Sequence, residues 1–203
     1  VLYVKRTRFI TVIRIFRPVP GIFPVAQRIG VAVVRHGDFK SKFYRIPGLA
    51  RSRKGTLLAV YDIRYNHSGD LPANIDVGVS RSTDGGRTWS DVKIAIDDSK
   101  IAPSLGATRG VGDPAILVDE KTGRIWVAAI WSHRHSIWGS KSGDNSPEAC
   151  GQLVLAYSDD DGLTWSRPIN ITEQTKNKDW RILFNGPGNL SLIHISEPTR
   201  RVV

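Results

Sequence analysis

The chain has 203 residues, with 29 Lys and Arg against 19 Asp and Glu, and therefore a formal net charge of +10. This length is sufficient to bury the core of one domain, and a composition with 40% hydrophobic and 24% charged residues argues against wholesale disorder. No run of about 18 uncharged apolar residues occurs, which excludes a transmembrane helix. The single cysteine, Cys150, excludes an intrachain disulfide and a zinc site built from several cysteines.

Much of the positive charge lies in residues 1–37, which we predict to be a separate basic segment. It contains no acidic residue, and its basic residues are Lys5, Arg6, Arg8, Arg14, Arg17, Arg28 and Arg35. If this arm bound nucleic acid, the binding would be salt-sensitive and would be lost on removal of the arm. No Gly-rich phosphate loop, helix-turn-helix pattern or zinc spacing accompanies it, so we expect no nucleic-acid partner. No signal peptide is recognisable in it either.

The body of the chain, residues 38–189, is predicted to consist of short β-strands. Residues 56–64 and 153–158 are apolar and rich in β-formers, and residues 75–80 alternate between apolar and polar, which predicts a half-buried strand. Residues 115–118 and 124–131 flank a polar turn that ends on Gly, a pattern typical of a hairpin. Regular short strands with Gly-containing turns predict an all-β sandwich, barrel or propeller.

One motif, Ser-x-Asp-x-Gly-x-Thr-Trp, occurs twice and favours the propeller. Asp and Ser side chains can bond backbone N–H groups within a turn, and Gly can adopt a positive φ. Trp can bury its ring under the hairpin while its N–H finds a partner. The motif therefore predicts a structural turn. Its copies comprise Ser82, Asp84, Gly86, Thr88 and Trp89, and Ser158, Asp160, Gly162, Thr164 and Trp165.

Two alternatives would place a metal ion in this chain. An EF-hand calcium loop needs Asp five residues before its Gly, where the two motifs have Arg81 and Tyr157. His133 and His135 could form a metal-binding pair on one strand face, but no third ligand lies nearby in the sequence, and a polar loop is the preferred interpretation. We therefore expect no metal site.

The two motifs resemble the Asp-boxes of sialidases (neuraminidases), which are six-bladed β-propellers that cleave terminal sialic acid. Residues 43–47, Phe-Tyr-Arg-Ile-Pro, resemble the Arg-Ile-Pro motif that opens the first blade of bacterial sialidases, and residues 54–70 follow in the order typical of the family. The resemblance covers residues 43–189. It implies an all-β, six-bladed sialidase propeller of which about the first two blades and part of a third are present.

By this resemblance, Arg45 is the first of three arginines that bind the carboxylate of sialic acid, and Arg64 lines the same pocket near the polar substituents of the sugar. A planar guanidinium pairs with a carboxylate in a bidentate geometry that Lys cannot match. Asp70 matches the family's general acid/base, which requires a carboxyl group able to hold a proton near the working pH. Without the resemblance, the two arginines would be interpreted as ion-pairing residues and Asp70 as a solvated loop acid.

Further residues resemble the pocket that receives the acyl-amino group of the sugar. Asp113, before Pro114, is similar to a family Asp at that side of the pocket. Trp131 and Trp138 are similar to paired tryptophans that line the N-acetyl pocket in some bacterial sialidases, and an apolar aromatic wall suits an acetyl methyl group. The alternative is that each Trp belongs to the propeller core. Residues 185–188 resemble a loop that enters a later blade.

The resemblance implies an exo-α-sialidase, a glycoside hydrolase that acts with retention through a Tyr nucleophile. The implied substrates are sialylated glycans of glycoproteins, gangliosides and oligosaccharides, with no cofactor. The family's other two arginines, its Tyr and the Glu that activates it have no counterpart in this sequence, so we expect an N-terminal fragment that is inactive alone. The alternative is a non-catalytic carbohydrate- or protein-binding Asp-box propeller.

The end of the chain departs from the family pattern. Residues 190–203 look like a translated sequencing adapter, and we expect a non-native tail there. The resemblance favours a secreted or periplasmic location, and the sequence makes no prediction of the oligomeric state.

Overall fold

In the computed structural model, residues 2–6, 11–15, 31–105 and 109–190 are described, the first two ranges by their backbone only. Much of the predicted basic segment and nearly all of the predicted tail therefore lie outside the described residues. The N-terminal strands form a three-stranded antiparallel sheet in the order β2-β1-β3, with β1 at Leu2–Arg6, β2 at Thr11–Ile15 and β3 at Val31–Ala32.

The body of the chain forms two further sheets, which we call the first and the second sheet. The first sheet is an antiparallel meander of four strands that lie side by side in chain order. Ile75 pairs with Arg64 at one end, and Ser82 pairs with Leu57 at the other. We call these the upper and lower ends, so that the first Asp-box follows the lower end. The strands are β4 (Phe43–Arg51), β5 (Leu57–Arg64), β6 (Ile75–Ser82) and β7 (Lys93–Ile96).

The second sheet repeats this meander and adds a fifth, parallel strand beside its first one. Val118 pairs with Ile125, which confirms the predicted hairpin, and Ser158 also pairs with Ile125, so the second Asp-box again follows the lower end. The strands are β8 (Arg109–Val118), β9 (Ile125–His133), β10 (Gln152–Ser158), β11 (Ile169–Asn170) and β12 (Gly188–Asn189).

Helices are minor elements of the described residues. They comprise α1 (Thr172–Thr175) and three single 3-10 turns, at Asp38–Lys40, Asp98–Lys100 and Ile137–Gly139. Within the described ranges, no helix has the length and apolar character needed to cross a bilayer. The prediction of an all-β fold is confirmed.

The main core lies between the two sheets. Leu58 and Val60 of β5 are fully buried and face it, and burying such a side chain contributes about 1.5–3 kcal/mol relative to exposure. Alternate residues of β9 meet them from the other side. The buried cluster also contains Val77, Val79, Ala95, Ile96, Val111, Ile116, Ile125, Val127, Ala129, Trp131, Val154 and Ala156.

The opposite face of the first sheet is covered as well. Val33 and Val34, which precede β4, are buried against Ala59, Tyr61 and Ile63 of β5. Residues 33–34, at the end of the basic segment, therefore pack with the body of the chain.

Strand β6 is more buried than its alternating pattern predicts. Gly78 is buried because the side chains of Tyr61 and Ile63 lie over it, and a Cβ at Gly78 would lie 2.6 Å from the Tyr61 ring. Ser80 is fully buried, and its hydroxyl shares a 2.7 Å hydrogen bond with the Tyr61 hydroxyl. The prediction of a half-buried strand was thus wrong, since small and hydrogen-bonded residues also fit a covered face.

Polar contacts join the two sheets at their lower end. Asp161, within the second Asp-box, accepts hydrogen bonds from Thr56 Oγ1 at 2.6 Å and from Arg81 Nη2 at 2.8 Å. Arg81 Nε also donates to the Asp161 carbonyl at 2.6 Å. Gly162 is next in the chain, and a Cβ there would lie 2.4 Å from Leu58 Cδ2. The second Asp-box is therefore packed directly against the first sheet.

Candidate functional site

The upper end of the two sheets brings together four of the predicted site residues. Arg45 lies near the start of β4, Arg64 ends β5, Asp70 lies in the loop between β5 and β6, and Asp113 lies in the first half of β8. Since β5 ends where β4 and β6 begin, an antiparallel meander places these positions side by side.

Two β-bulges position residues of this site. The pairing of β4 with β5 shifts between Arg45 and Gly48, and that of β8 with β9 shifts between Gly112 and Ala115. In each bulge the residue before a proline has a positive φ, 54° at Ile46 and 57° at Asp113. A proline disfavours the right-handed helical region for the residue before it, and a bulge re-aims neighbouring side chains. Both sheets thus have the same backbone feature, a bulge that contains a proline, at the positions of Arg45 and Asp113.

Arg64 is almost completely buried, and each of its three guanidinium nitrogens donates a hydrogen bond. Its Nε and Nη2 donate to Asp62 Oδ2 at 3.0 and 2.7 Å. Its Nη1 donates to the carbonyls of Ser68 and Gly69 and to Asp70 Oδ1, at 2.8, 2.7 and 2.8 Å. Only 2% of the Arg64 side chain is exposed, so Arg64 reaches the open side of the site through Asp70.

Asp70 lies between the two arginines. Its Oδ1 accepts from Arg45 Nη1 at 3.0 Å as well as from Arg64. Arg45 also donates to the Ser68 carbonyl, and its side chain is 41% exposed, while that of Asp70 is 77% exposed. The hydrogen bond from Arg64 is the main reason that the pKa of Asp70 lies below its ordinary value, and Arg45 adds to this effect. This arrangement favours the ionised form of Asp70.

Asp113 belongs to the second sheet and lies near the charges of Arg64, Asp70 and Arg45. Its backbone N–H donates to Asp62 Oδ1 at 2.9 Å, and its carbonyl accepts from Asn185 Nδ2 at 2.9 Å. Burial raises the pKa of the Asp113 carboxyl above its ordinary value, while the charge of Arg64 acts to lower it. The site therefore combines two carboxyl groups whose pKa values are shifted in opposite directions.

The two predicted acetyl-pocket tryptophans have different surroundings. Trp131 is fully buried in the core between the sheets, and its indole N–H donates to Asp98 Oδ1 at 2.6 Å. A ring without exposed surface cannot wall an open pocket, so the prediction for Trp131 is corrected in favour of the core alternative. Trp138, in the 3-10 turn after β9, is 71% exposed, and its predicted role stays open.

One of the two histidines, His133, differs from the predicted polar loop. His133 is the last residue of β9, is 1% exposed and stacks on Trp131 with ring centroids 6.0 Å apart. Neither of its ring nitrogens has a hydrogen-bond partner among the described residues. His135 lies in the following loop. Within the described ranges, no group of three or more His, Cys, Asp or Glu side chains could hold a metal ion.

The Asp-boxes form the predicted turns at the lower end, away from this site. In the first box, Asp84 accepts hydrogen bonds from Ser82 Oγ, the Arg87 N–H and both the N–H and the hydroxyl of Thr88. Asp160 of the second box repeats this pattern with Ser158, Leu163 and Thr164. One expectation is corrected: the indole N–H groups of Trp89 and Trp165 are buried without a partner among the described residues.

Sequence patterns had not singled out Asp62. It is fully buried and contacts both Arg64 and Asp113, which lie in different sheets. The signal was present, because Asp62 continues the inward-facing series of Leu58 and Val60 along β5. A charged residue in such a series requires a partner, and Arg64 is two residues further on the same face.

Comparisons with known proteins identify the family of this chain. No protein-family model matches the chain. The sialidase of Bacteroides fragilis is 49% identical over 168 residues, which are 81% of this chain and 31% of that protein. The sialidase of Micromonospora viridifaciens is 35% identical over 170 residues, 83% of this chain and 25% of that protein. The chain thus spans less than a third of the length of these two relatives.

Solved structures that resemble this chain are also sialidases or trans-sialidases. A Hadza microbial sialidase, 49% identical, has a TM-score of 0.75 and matches 82% of this chain and 34% of its own. The intramolecular trans-sialidase of Ruminococcus gnavus, 17% identical, has a TM-score of 0.66 over 78% of this chain and 54% of its own, which speaks for the fold alone. These likenesses confirm the predicted sialidase-type β-propeller, present in part. The chain belongs to the bacterial-type sialidase family.

Proposed function

We propose that this chain contributes part of the active site of an exo-α-sialidase, a glycoside hydrolase that removes terminal sialic acid. The observation that carries the proposal is the convergence of Arg45, Arg64, Asp70 and Asp113 at the upper end of two neighbouring sheets. The proposed substrates are the sialylated glycans of glycoproteins, gangliosides and oligosaccharides.

Arg45 is the proposed partner of the substrate carboxylate. The side chain of Arg45 is more exposed than that of Arg64, and it forms an ion pair with the carboxylate of Asp70. An incoming carboxylate of the same charge would compete for this guanidinium and would free Asp70 from one of its two ion pairs. Loss of that pair raises the pKa of Asp70, since a nearby cation favours the ionised carboxylate. Substrate binding would thereby move the pKa of Asp70 upward, toward protonation, while the hydrogen bond from Arg64 stays in place.

Asp70 is the proposed general acid/base. As an acid it would protonate the glycosidic oxygen as the bond to the sugar breaks, and as a base it would then deprotonate the attacking water. Retention requires a nucleophile on the other side of the anomeric carbon, and sialidases use Tyr in that role. A neutral Tyr suits a substrate that carries a carboxylate on this carbon, because an anionic nucleophile would be repelled. In this proposal the nucleophile comes from a part of the propeller that this chain does not cover.

The test uses two proteins and a fluorogenic sialoside. We expect no turnover by the 203-residue chain alone, and measurable turnover would contradict the proposal that it is an inactive fragment. In the second protein, residues 31–190 replace the matching segment of the Bacteroides fragilis sialidase. We expect turnover by this chimera, and a folded chimera without activity would contradict the sialidase assignment.

A non-catalytic sialoside-binding propeller is the second candidate. It is favoured by one observation, namely the two ion pairs of Asp70 with Arg64 and Arg45, which lower its pKa and suit binding better than proton donation. The two candidates differ in the chimera carrying Asp70→Asn. A binding module would retain its affinity for a sialoside without ever showing turnover, whereas an enzyme would lose the turnover of the parent.

A further inference from the structure

Asp62, which is not one of the proposed catalytic groups, is a buried carboxylate that connects the two sheets. Asp62 is 0% exposed and sits at the upper end of the apolar face formed by Leu58 and Val60. Burying an ionised carboxylate in such a place is costly unless it is paired and hydrogen-bonded. The contacts that compensate this cost are therefore informative about its role.

Each oxygen of Asp62 binds a different part of the candidate site. Oδ2 accepts from Nε and Nη2 of Arg64, at 3.0 and 2.7 Å. Oδ1 accepts from the backbone N–H of Asp113 at 2.9 Å. The approach is close, since a Cβ on Gly112 would lie 3.1 Å from Oδ1. The one carboxylate thus holds a side chain of the first sheet and a backbone bulge of the second.

Both partners need this anchor. The Asp113 N–H lies where the β8–β9 pairing shifts, so the regular ladder provides no acceptor for it. Asp113 also has a φ of 57°, an unfavourable conformation for a residue with a side chain, which persists only when surrounding contacts hold it. Arg64 directs its remaining nitrogen, Nη1, at Asp70, so the direction of that hydrogen bond depends on how Nε and Nη2 are held.

We propose that Asp62 is a positioning residue that fixes Arg64, and through it Asp70, relative to Asp113 across the two sheets. Asp62 touches no substrate in this scheme. The inference rests on the proposed function for its catalytic consequence, but the contacts themselves can be tested without activity. A purely structural ion pair would stabilise the fold without controlling the geometry of the site.

A matched control exists at the other end of the same interface. Asp161 also joins the two sheets through an arginine, Arg81, and is 8% exposed, but it lies at the lower end within the second Asp-box. Asp161→Asn replaces a buried carboxyl group between the sheets as Asp62→Asn does. A comparison of the two variants separates the loss of sheet-to-sheet stability from the loss of site geometry.

The first experiment measures hydrogen exchange by NMR in the full 203-residue chain. In Asp62→Asn the carbonyl of Asn can still accept from the Asp113 amide, but its NH2 group cannot accept from Arg64. We expect the Arg64 Nε–H to exchange roughly tenfold faster or more, the scale of one lost charged hydrogen bond, with the Asp113 amide still protected. Asp62→Leu should expose both, and Asp161→Asn neither. Unchanged exchange at Arg64 in Asp62→Asn would overturn the proposal.

The second experiment measures kcat/KM in the chimera. We expect Asp62→Asn to lower kcat/KM by about tenfold or more, because small displacements of reacting groups are costly, and Asp161→Asn to change it less than about twofold. In an Arg64→Leu background, Asp62→Asn should have no further effect on kcat/KM, since the residue through which Asp62 acts is missing. A loss as large in that background as in the parent would show that Asp62 does not act through Arg64.

The two experiments separate the failure of this inference from the failure of the proposed function. A chimera without turnover contradicts the proposed function, and the exchange rates then still decide whether Asp62 holds Arg64 and Asp113. An active chimera in which Asp62→Asn leaves kcat/KM within twofold of the parent contradicts the positioning role alone.

Discussion

The surroundings of Asp70 oppose its proposed role as a proton donor as long as no substrate carboxylate is bound. Its Oδ1 accepts hydrogen bonds from both Arg45 and Arg64, and these contacts hold its pKa below the ordinary value. A general acid needs a proton at the working pH. The substrate carboxylate would lessen this conflict by taking Arg45 from Asp70, while Arg64, the larger cause of the lowered pKa, would still bind Asp70. The exposed position of the Arg45 and Asp70 side chains makes such an exchange possible without opening the core.

The first prediction concerns Asp70 itself. In the chimera, Asp70→Asn should lower kcat/KM by about 10²–10⁴-fold, the usual contribution of a general acid/base. The same change should tighten the binding of free sialic acid, measured by calorimetry, because Asn competes less well than Asp for the Arg45 guanidinium. Asp91→Asn, at an exposed acid after the first Asp-box, is the control. Activity within a few-fold of the parent would contradict the role.

The second prediction concerns Arg45. Arg45→Ala should lower kcat/KM of the chimera by roughly 10–100-fold, since hydrogen bonds to charged groups contribute about 1.5–3 kcal/mol. Arg45→Lys should recover only part of the loss, because an ammonium cannot form the bidentate pair with a carboxylate.

The control for Arg45 is Arg124→Lys, at an arginine that pairs with Asp159 near the lower end. It should leave kcat/KM unchanged. Equal activities of Arg45→Lys and the parent would show that a point charge suffices and that the bidentate geometry is not used.

The residue types of the site could be predicted from the sequence, but their environments could not. Arg45, Arg64, Asp70 and Asp113 were predicted from motifs and do lie at one end of the sheets. The burial of Trp131 was not predictable, because its sequence context suits a core strand and a pocket wall equally well. The decisive fact is the position of its ring between two sheets, which depends on contacts distant in sequence.

At the scale of elements, the Asp-box is a turn held by one carboxylate. Burial acts to raise the pKa of Asp160, but hydrogen bonds from Thr164 and Ser158 outweigh it and lower the pKa to about 2. The pKa of Asp84 is also lowered, mainly by the N–H of Thr88. A pKa that is lower in the folded than in the unfolded state adds stability above the unfolded value, and that stability is lost on acidification.

The third prediction follows from this shift. The free energy of unfolding of the 203-residue chain, measured by urea denaturation, should fall as the pH is lowered from about 4 toward 2. Asp160→Asn should lower stability at pH 7 and remove part of this pH dependence, because Asn cannot be protonated and accepts fewer hydrogen bonds. Asp91→Asn should leave the slope unchanged. A slope in Asp160→Asn as steep as that of the parent would contradict the explanation.

The elements themselves were largely predictable because their signals are local. The hairpin of β8 and β9 and the strands β5, β6 and β10 follow from runs of apolar residues and from Gly-containing turns. The burial of β6 on both sides was not predictable from its alternation. Gly78 and Ser80 look like solvent-facing positions in a sequence, yet they are covered by Tyr61 and Ile63 of the neighbouring strand.

At the scale of the whole molecule, the second Asp-box also connects the second sheet to the first through hydrogen bonds. Asp161 binds Thr56 and Arg81 of the first sheet, and the adjacent Gly162 leaves no room for a side chain against Leu58. The corresponding turn of the first box has Gly85 where the second has Asp161. One motif therefore shapes a turn in both sheets and carries an added sheet-to-sheet contact in one of them.

The fourth prediction compares two glycines with similar backbone conformations. Gly162 has a φ of 80° with Leu58 Cδ2 2.4 Å from the position of a Cβ, whereas Gly143 has a φ of 89° and nothing within 4 Å. Gly143→Ala carries only backbone strain, about 1–2 kcal/mol. Gly162→Ala adds overpacking, about 1–3 kcal/mol more. Urea denaturation of both variants measures the difference, and equal losses of stability would contradict the close packing.

The way in which the two sheets meet could not be deduced from sequence patterns. Periodicity identifies which face of a strand is buried but not which other strand covers it. Asp62 illustrates the limit, because its partners are Arg64 on the same strand and the Asp113 backbone on another sheet. Only the packed arrangement brings the second partner within hydrogen-bonding distance.

The proline-containing bulge in β4 and in β8 has an evolutionary consequence. Ile46 and Asp113 occupy equivalent places, each with a positive φ and each followed by proline. Duplication of one ancestral repeat would provide both places together, after which the side chain before either proline could diverge while the backbone stayed the same. Ile46 and Asp113 fit such a diverged pair, one apolar and one acidic. New ligand preferences can then arise through a single substitution at a backbone position that both sheets already share.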